Sequence, residues 1–409
     1  MSDAPRGLLS PVPFFLTPDS PKATLGPGKH KRIAAGHPWV YDNEIADIQP
    51  PEPGGIVAVY DAKGHYLGVG YWNPASTIRV RLLSRSREAC IDQAWVHSRI
   101  AQAWALRQRC LQDTSSCRVV FAEADGLPGL VMDKFEDTLV LQSLTLGMER
   151  LLPWVLEACE GVLSPKGIYA RNDVPVRERE GLTQFTGWLA GTGDTLIRIQ
   201  ENGIAMWADI EKGQKTGHFM DQRDNRAALR PLCKDAEVLD VFCHTGGFAL
   251  HALHYGATHV TALDASPEAL AMVAHNMQEN GWSAYETVEG NAFDMLRQYQ
   301  TERRQFDVVV LDPPAFTKSR AALEGALRGY KDINLRGIRL VKPGGFLVTC
   351  SCSQHVDDML FRDVVQTAAA DAGRQLRQIG FYGQAADHPA LAAAQETRYL
   401  KCWVLQVME

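Results

Sequence analysis

The stretch Val238-Leu-Asp-Val-Phe-Cys-His-Thr-Gly-Gly-Phe248 decides the fold of the C-terminal half of this chain. An apolar strand runs into a glycine pair, and the apolar residues of 248–254 then predict a helix. Glycine at such a turn tolerates positive φ and lets the backbone approach a ligand closely. A purely structural turn has the same composition. The segment therefore predicts a strand–turn–helix unit and leaves its ligand open.

Outward from this unit, the sequence alternates between strands and helices. Strands are predicted at 259–264, 306–311 and 346–350, and a helix is predicted at 267–280. This alternation predicts a doubly wound, mostly parallel sheet, a Rossmann-like α/β domain. In such sheets, ligands bind beyond the carboxyl ends of the strands.

An acidic residue ends the second strand of this pattern. Asp264 follows Asp240 by 24 residues, and a carboxylate at that position suits hydrogen bonds to two ribose hydroxyls. NAD and S-adenosylmethionine both fit the glycine turn and the acid at the end of the second strand. The motif Gly-x-Gly-x-x-Gly is absent, so no pyrophosphate cradle is indicated, and S-adenosylmethionine is favoured.

The third and fourth strands add further polar groups. In Glu289-Gly-Asn-Ala-Phe-Asp294 an acid can accept from an adenine amino group, although a loop that caps a helix would look the same. In Asp312-Pro-Pro-Ala-Phe316 two prolines fix a rigid exit and place an acid at its lip. Together the four elements predict S-adenosylmethionine as cofactor. The candidate cofactor-binding residues, with two from the preceding loop, are Asp240, Phe242, Thr245, Gly246, Gly247, Asp264, Asn291, Asp294, Asp312, Gln222 and Arg223.

The N-terminal half has a different pattern. Short strands at 55–60, 66–72 and 77–83, separated by turn signals, predict a small β-barrel or sheet. A helix is predicted at 91–112. Strands predicted at 119–122, 130–134, 138–143 and 167–171, with a helix at 151–158, follow as an α+β region. The sequence thus predicts a multidomain α/β protein with an extension at 1–24, a β-rich domain at 25–95, a middle domain at 96–200 and the Rossmann-like domain at 201–409.

Composition narrows the class of protein. The net charge is −6, but residues 1–90 hold ten basic and eight acidic side chains, so the N-terminal part is favoured for contact with a polyanion. Nine scattered cysteines are typical of reduced thiols in a cytosolic protein. No run of ~18 apolar residues predicts a membrane span. We expect a cytoplasmic protein, and a homodimer stays open.

Several stretches carry a resemblance to a known family. Lys31-Arg-Ile-Ala-Ala-Gly-His-Pro-Trp-Val-Tyr41, Gln214-Lys-Thr-Gly-His-Phe-Met-Asp-Gln-Arg-Asp-Asn-Arg226 and Ser351-Cys-Ser353 resemble the bacterial 23S rRNA cytosine-5 methyltransferases with an N-terminal PUA domain. Thr245-Gly-Gly-Phe248 and Asp312-Pro-Pro-Ala-Phe316 match in order, and the resemblance covers about residues 25–409. It implies a PUA-like barrel, an α+β middle domain and a seven-stranded methyltransferase acting on RNA.

The chain departs from the family's pattern at three places. Cys243-His244 stands where small and aromatic residues are expected, Ala315 stands where lysine is common, and Cys350 adds a second thiol. These departures bear on the target nucleotide more than on the fold or the cofactor.

Methylation at carbon 5 of cytosine needs a thiolate that adds to carbon 6. Cys352 and Asp312 are the catalytic candidates, because both follow strand ends on one sheet edge. Cys350 should instead share a buried face of its strand with Val348 and Phe346, although a Thr-Cys pair is the nucleophile motif of other such enzymes. A metal site at Cys350, Cys352 and His355 lacks a fourth ligand at zinc-like spacing.

Two other functions remain open from the sequence. Asp312-Pro-Pro-Ala-Phe316 also resembles the motif of nucleic-acid amino-group methyltransferases, which need no thiol. A non-catalytic RNA-binding protein of ribosome assembly could keep a vestigial pocket. Basic residues of the N-terminal domain are candidates for contact with RNA phosphates, although a solvated charged face would have the same composition. These residues are Lys29, Lys31, Arg32, Arg79, Arg81 and Arg85.

Overall fold

The computed structural model describes residues 11–317 and 319–409, except for the side chain of Arg320. The chain divides into two compact units. The first holds residues 11–199, Ala208–Met220 and Ala386–Thr397, and the second holds Gln200–Trp207, Asp221–Ala385 and Arg398–Glu409. Each unit is built around its own sheets.

The first unit begins with a six-stranded sheet in the order β2-β6-β5-β4-β1-β3. Its strands are rich in β-branched and aromatic residues, which pack well on a pleated, half-buried surface. The elements are β1 (Lys22–Leu25), α1 (His30–Ala34), β2 (Trp39–Tyr41), β3 (Ile45–Gln49), β4 (Ile56–Tyr60), β5 (Tyr66–Trp72) and β6 (Ile78–Ser84). The predicted strand at 66–72 is confirmed at both ends.

A five-stranded sheet in the order β11-β10-β9-β8-β7 completes the first unit. Side chains of Asp92 and Thr145 cap the two long helices that pack beside it. The elements are α2 (Gln93–Cys110), β7 (Ser116–Phe121), β8 (Leu130–Phe135), β9 (Thr138–Ser143), α3 (Leu146–Leu163), β10 (Gly167–Arg171), α4 (Val176–Arg179) and β11 (Thr186–Gly191). Strands 138–143 and 167–171 are confirmed. The helix predicted at 151–158 extends over Leu146–Leu163 in the structure, so the prediction was more than one turn too short at each end.

Both sheets of the first unit contribute to one hydrophobic core. Tyr71 of β5 donates to the carbonyl oxygen of Pro128 at 2.6 Å and lies 2.9 Å from Oγ1 of Thr145. A Cβ added to Gly147 of α3 would lie 1.9 Å from Cγ of Tyr71, so this helix and β5 touch directly. Removing residues 1–95 would therefore expose core residues of the rest of the unit.

A two-stranded hairpin follows, formed by β12 (Leu196–Glu201) and β13 (Ile204–Asp209). The short helix α5 (Arg223–Ala227) comes next.

The second unit is a seven-stranded sheet in the order β16-β15-β14-β17-β18-β20-β19. The strands β14 to β18 run parallel, and β20 inserts antiparallel between β18 and β19. The elements are β14 (Glu237–Val241), α6 (Gly247–His254), β15 (His259–Asp264), α7 (Pro267–Glu279), β16 (Tyr285–Glu289), α8 (Ala292–Thr301), β17 (Phe306–Leu311), α9 (Leu323–Leu340), β18 (Val341–Ser351), α10 (Asp358–Ala372), β19 (Leu376–Tyr382) and β20 (Lys401–Val407). The predicted doubly wound, mostly parallel sheet is confirmed.

Local sequence explains where these elements begin and end. The central strand β14 is buried through Val238, Leu239 and Val241, as expected for a parallel strand covered on both faces. Helix α7 starts with Pro267 after Ser266, whose hydroxyl accepts from Ala269 N at 3.1 Å. These signals place the loops of interest at the carboxyl edge of the sheet.

Candidate active site

The carboxyl ends of the parallel strands bring the candidate residues to one edge of the sheet. Asp240 lies near the end of β14, Asp264 ends β15 and Asp312 follows β17. Cys352 follows β18, which pairs in parallel with β17. Since parallel strands end at a common edge, an acid-lined site with a thiol beside it is formed here.

The turn after β14 has an unusual backbone. Phe242, His244 and Gly246 all have positive φ, at 64°, 49° and 86°. A Cβ at Gly247 would lie 3.1 Å from Cδ of Arg226, so a larger residue there would crowd that guanidinium. Strained non-glycine residues of this kind persist where the surrounding structure holds them, commonly at ligand sites.

Asp240 is fully buried at this turn. Its Oδ2 accepts from Ala249 N at 2.9 Å, while its Oδ1 is buried without a partner. Burial first, and then the negative charges of Asp312 and Asp264, raise the pKa of Asp240 to about 8. A buried, unsatisfied oxygen is typical of a group that a ligand or water completes.

Asp264 shapes the turn as well as offering oxygens to a ligand. Its Oδ2 accepts from His244 N at 2.9 Å and its Oδ1 from Ser266 N at 3.0 Å. Each carboxylate oxygen has a second lone pair, so both can still accept from ribose hydroxyls. Nearby, the carbonyl of Thr245 accepts from Asn276 at 3.0 Å.

The loop after β16 is partly a helix cap. The Oδ1 of Asn291 accepts from Phe293 N at 2.9 Å and so caps α8, and its backbone carbonyl accepts from Met295 N at 2.9 Å. Asp294 is exposed, and its carboxylate lies 3.7 Å from Arg297. The ring centroid of Phe316 lies 6.4 Å from that of Phe242 and 5.9 Å from that of Phe293.

Asp312 is oriented by an amide relay that the sequence did not reveal. Nε2 of Gln222 donates to Oδ1 of Asp312 at 2.8 Å, and Nδ2 of Asn225 donates to Oε1 of Gln222 at 2.5 Å. Asn225 also donates to the carbonyl of Gly383 at 3.1 Å. The sequence pointed to Gln222 and Asn225 only through their position in the loop 214–226. No spacing rule links that loop to Asp312, so the relay could not be predicted.

The two neighbouring thiols have different environments. Cys352 is partly exposed, and its Sγ lies 4.0 Å from the carbonyl oxygen of Pro313. Cys350 is fully buried opposite Cys402 of β20. Burial raises the pKa of the Cys350 thiol well above its ordinary value. The predicted burial of Cys350 is confirmed.

The arginines of α5 surround a buried glutamate. Arg226 pairs with Glu201 through two hydrogen bonds of 2.6 and 2.7 Å, and Nε of Arg223 lies 3.9 Å from the same carboxylate. His251 lies 3.7 Å from Glu201. This pairing anchors Arg226 inside the unit and sets Arg223 beside it.

The residues present fit S-adenosylmethionine. The unsatisfied Oδ1 of Asp240, the glycine turn, the acid that ends β15 and the aromatic cluster at Phe316 supply the polar and apolar contacts that a nucleoside with an amino-acid tail requires. Asp264 would hold the ribose and the 242–247 turn the amino-acid portion. Within residues 11–317 and 319–409, no three His, Cys, Asp or Glu side chains form a metal site.

The basic residues of the first unit differ in their freedom to meet RNA. Lys29 and Lys31 are exposed, and Arg79 is half-buried beside a surface cleft. Arg32 pairs with Glu44 at 2.7 Å. Arg85 donates to two backbone carbonyls, those of residues 33 and 37.

Arg81 is a correction to the predicted RNA surface. It is buried and lies 2.9 Å from Glu123 and 3.5 Å from Glu180. Its charge is already neutralised inside the unit, because a buried guanidinium must be paired. We therefore remove Arg81 from the RNA-contact candidates.

Comparison with known proteins defines the class of protein. Residues 23–85 match the PUA-like domains, and residues 173–390 match the S-adenosylmethionine-dependent methyltransferases. The chain is thus an S-adenosylmethionine-dependent methyltransferase with a PUA-like domain. A relative from Alteromonas mediterranea is 40% identical over 395 residues, 95% of this chain and 100% of the relative. One from Shewanella amazonensis is 41% identical over 94% of this chain and 98% of its own length. Both are named ribosomal RNA large subunit methyltransferase I, and this chain belongs to that family.

Solved structures agree with the fold. A methyltransferase from Streptococcus mutans gives a TM-score of 0.80 at 18% identity, covering 94% of this chain and 100% of that one. Another methyltransferase, solved in complex with SAH, gives 0.81 at 17% identity and the same coverage. At such identities the likeness supports the fold alone. The predicted fold, enzyme class and cofactor are confirmed by the family matches.

We expect Asp264→Ala to weaken S-adenosylmethionine binding by about 1–3 kcal/mol, or roughly 5- to 150-fold in Kd, because two hydrogen bonds to the ribose are lost. Isothermal titration of the full-length protein measures the effect. Glu268→Ala is the matched control, since Glu268 is an exposed acid in the first turn of α7 whose Oε2 accepts from Ser266. An unchanged Kd in a folded Asp264→Ala protein would contradict the assignment.

Proposed function

We propose that this enzyme transfers a methyl group from S-adenosylmethionine to carbon 5 of a cytosine in 23S rRNA. One observation carries the proposal: a partly exposed thiol, that of Cys352, lies at the same sheet edge as Asp312, 4.0 Å from the carbonyl of Pro313. The names of the relatives, which act on large-subunit ribosomal RNA, support the substrate class.

The chemistry explains why a thiol is needed. Carbon 5 of cytosine is a poor nucleophile, and bound S-adenosylmethionine supplies an electrophilic methyl group. When the Cys352 thiolate forms a bond to carbon 6, the ring's electron pair moves so that carbon 5 becomes enamine-like and accepts the methyl group. A base then removes the proton from carbon 5. The electron pair left behind re-forms the double bond and expels the thiolate from carbon 6.

Asp312 is suited to hold the ring during this sequence. The relay from Asn225 through Gln222 fixes the orientation of its carboxylate. Each carboxylate oxygen can accept more than one hydrogen bond, so the group can also hydrogen-bond the cytosine. Holding a reacting group in one orientation lowers the barrier, because the entropy of alignment is lost on binding and not during reaction.

A nucleic-acid amino-group methyltransferase is the alternative function. It would use the same Asp312-Pro-Pro-Ala-Phe316 exit to hold an exocyclic amine, but it would need no cysteine. An RNA-binding protein without activity is the second alternative. The thiol beside the exit favours carbon 5 chemistry over both.

The direct test maps the methyl group. Ribosomal RNA from a strain that lacks this protein is digested, and its fragments are compared by mass spectrometry with those of the parent. We expect one 5-methylcytosine of 23S rRNA to disappear, and to return with the wild-type gene but not with Cys352→Ala. Loss of an N-methylated base, or no change, would refute the proposal.

We also propose that the PUA-like region, within 25–95, docks RNA through Lys29 and Lys31, while 96–200 and 201–409 form the middle and catalytic domains. The double variant Lys29→Glu/Lys31→Glu should weaken RNA binding and lower the salt slope of log K by about 2, because each lysine displaces counterions from a phosphate. Filter binding at several salt concentrations measures this effect. Cofactor binding should not change.

Lys63→Glu provides the matched control for that double variant, because Lys63 is an exposed lysine in a turn of the same sheet. Equal losses in the two proteins would show that overall charge, and not this surface, governs RNA binding. A deletion of residues 1–95 is unsuitable, since it would expose the shared core at Tyr71.

Substrate class also suggests where the enzyme works. No helix among residues 11–317 and 319–409 is long and apolar enough to cross a membrane. We propose a cytoplasmic location because ribosomal RNA is found there.

Light scattering of the full chain tests the homodimer that the sequence left open.

A further inference from the structure

Lys401 is a buried lysine next to the proposed nucleophile. It is the first residue of β20 and pairs with Ser351, the last residue of β18. Only 3% of its surface is exposed. Lysine is almost never buried to this degree without partners, because removing an ammonium from water is costly.

The partners of the ammonium lie in the loop that carries Cys352. Nζ donates to the carbonyl of Ser353 at 2.9 Å and to the carbonyl of Val356 at 2.6 Å. Both carbonyls belong to the segment between β18 and α10. The ammonium of Lys401 is therefore held at the carbonyl of the residue that follows Cys352. The same two hydrogen bonds attach the loop to β20.

Several charged and titratable groups act on Lys401. Negative charge on Asp358, Cys352 and Asp357 favours the charged form of Lys401, whereas the positive charge of Arg398 opposes it. Burial is the largest effect and lowers the pKa of Lys401 to about 8, so the side chain stays mostly protonated at neutral pH. The hydroxyl of Tyr330 lies within 3.0 Å of the hydroxyls of Ser351 and Ser353, which flank Cys352 in the chain.

An interaction between two titrating groups acts on both of them. If a thiolate at Cys352 favours the ammonium of Lys401, the ammonium equally favours the thiolate. A thiol beside a lysine can have its pKa lowered by one or more units, and the thiolate is the species that attacks.

We propose that Lys401 is a positioning residue that holds the Cys352 loop and stabilises the Cys352 thiolate with its buried positive charge. This inference rests on the proposed function, in which Cys352 is the nucleophile. A merely structural lysine would tie down the loop without changing the acidity of the thiol. The two roles are therefore separated by the pH dependence of Cys352 reactivity.

The experiment measures alkylation of Cys352 by iodoacetamide in the full-length protein between pH 5.5 and 10. The Cys352 peptide is quantified by mass spectrometry, which separates it from those of the other cysteines. We expect an apparent pKa below the ordinary ~8.5 of a free cysteine. In Lys401→Met it should rise by about one unit or more, which is roughly a tenfold slower alkylation at neutral pH. Lys401→Arg should restore most of the reactivity because it keeps the charge.

Arg398→Met is the matched control. It removes a positive charge from the same segment, but Arg398 is exposed and pairs with Asp358 at 2.8 Å. The apparent pKa of Cys352 should stay within about 0.3 units of wild type, because exposed charges are screened by water.

Two results would overturn the inference. One is a wild-type apparent pKa at or above that of free cysteine, which is informative even if Lys401→Met does not fold. The other is a folded Lys401→Met protein, judged by S-adenosylmethionine binding, whose Cys352 titrates as in wild type. Alkylation does not depend on methyl transfer. An active Cys352→Ala enzyme would thus refute the proposed function while a Lys401-dependent titration still stood.

Discussion

Cys352→Ala is expected to lose RNA methylation by at least about 10³-fold while still binding S-adenosylmethionine as tightly as the wild type. Removing the nucleophile removes the only route by which carbon 5 becomes reactive, whereas the groups that fit the cofactor lie on other strands. Single-turnover assays with a radiolabelled methyl group measure the rate, and isothermal titration measures cofactor affinity.

Cys350→Ala is the matched control, two residues earlier and inside β18. Cys350 is fully buried opposite Cys402, where a protonated thiol acts as a small apolar side chain. Its replacement should cost about 1 kcal/mol of stability and leave the rate within a few-fold of wild type. Full activity in Cys352→Ala with loss of activity in Cys350→Ala would reverse the assignment.

RNA containing 5-fluorocytosine gives a direct record of which thiol attacks. Fluorine at carbon 5 cannot leave as a proton, so the adduct at carbon 6 persists after methyl transfer. Peptide mapping should place the RNA on Cys352. An adduct on Cys350, or none at all, contradicts the mechanism.

Much of the catalytic fold could be predicted because its signals are local. The strands β15 and β17 were predicted at their observed bounds, since each is a short apolar run closed by an acid or a turn. Their order then placed Asp264 and Asp312 at one edge, because parallel strands with helical crossovers end together.

The contacts that tune the site could not be predicted, because they join residues far apart in sequence. Gln222 reaches Asp312 across 90 residues, and Lys401 reaches the Ser353 carbonyl across 48. Arg81 illustrates the same limit, since nothing near it in sequence shows that Glu123 and Glu180 neutralise it. Local pattern identifies a charged residue, but only tertiary packing decides whether its charge is available.

Asp312→Ala is expected to lower kcat by about 10²- to 10⁴-fold at saturating S-adenosylmethionine, because the ring loses the carboxylate that hydrogen-bonds and orients it. Because Asp312 lies at the edge where the cofactor binds, its replacement can also weaken cofactor binding. Saturating S-adenosylmethionine removes that contribution from the measured rate. Asp312→Asn keeps an oxygen that can accept from Gln222, so it tests the charge alone and should be nearly as slow.

Gln222→Ala tests the relay behind Asp312. Without the 2.8 Å hydrogen bond from Gln222, the carboxylate gains rotational freedom, and Asn225 loses its acceptor. We expect a fall in kcat of roughly tenfold, smaller than for Asp312→Ala because the acid itself remains. In the double variant Gln222→Ala/Asp312→Ala the rate should match that of Asp312→Ala, since the relay has nothing left to orient. Additive losses in the double variant would show that Gln222 acts on the substrate or the cofactor by itself, and that the relay is not its role.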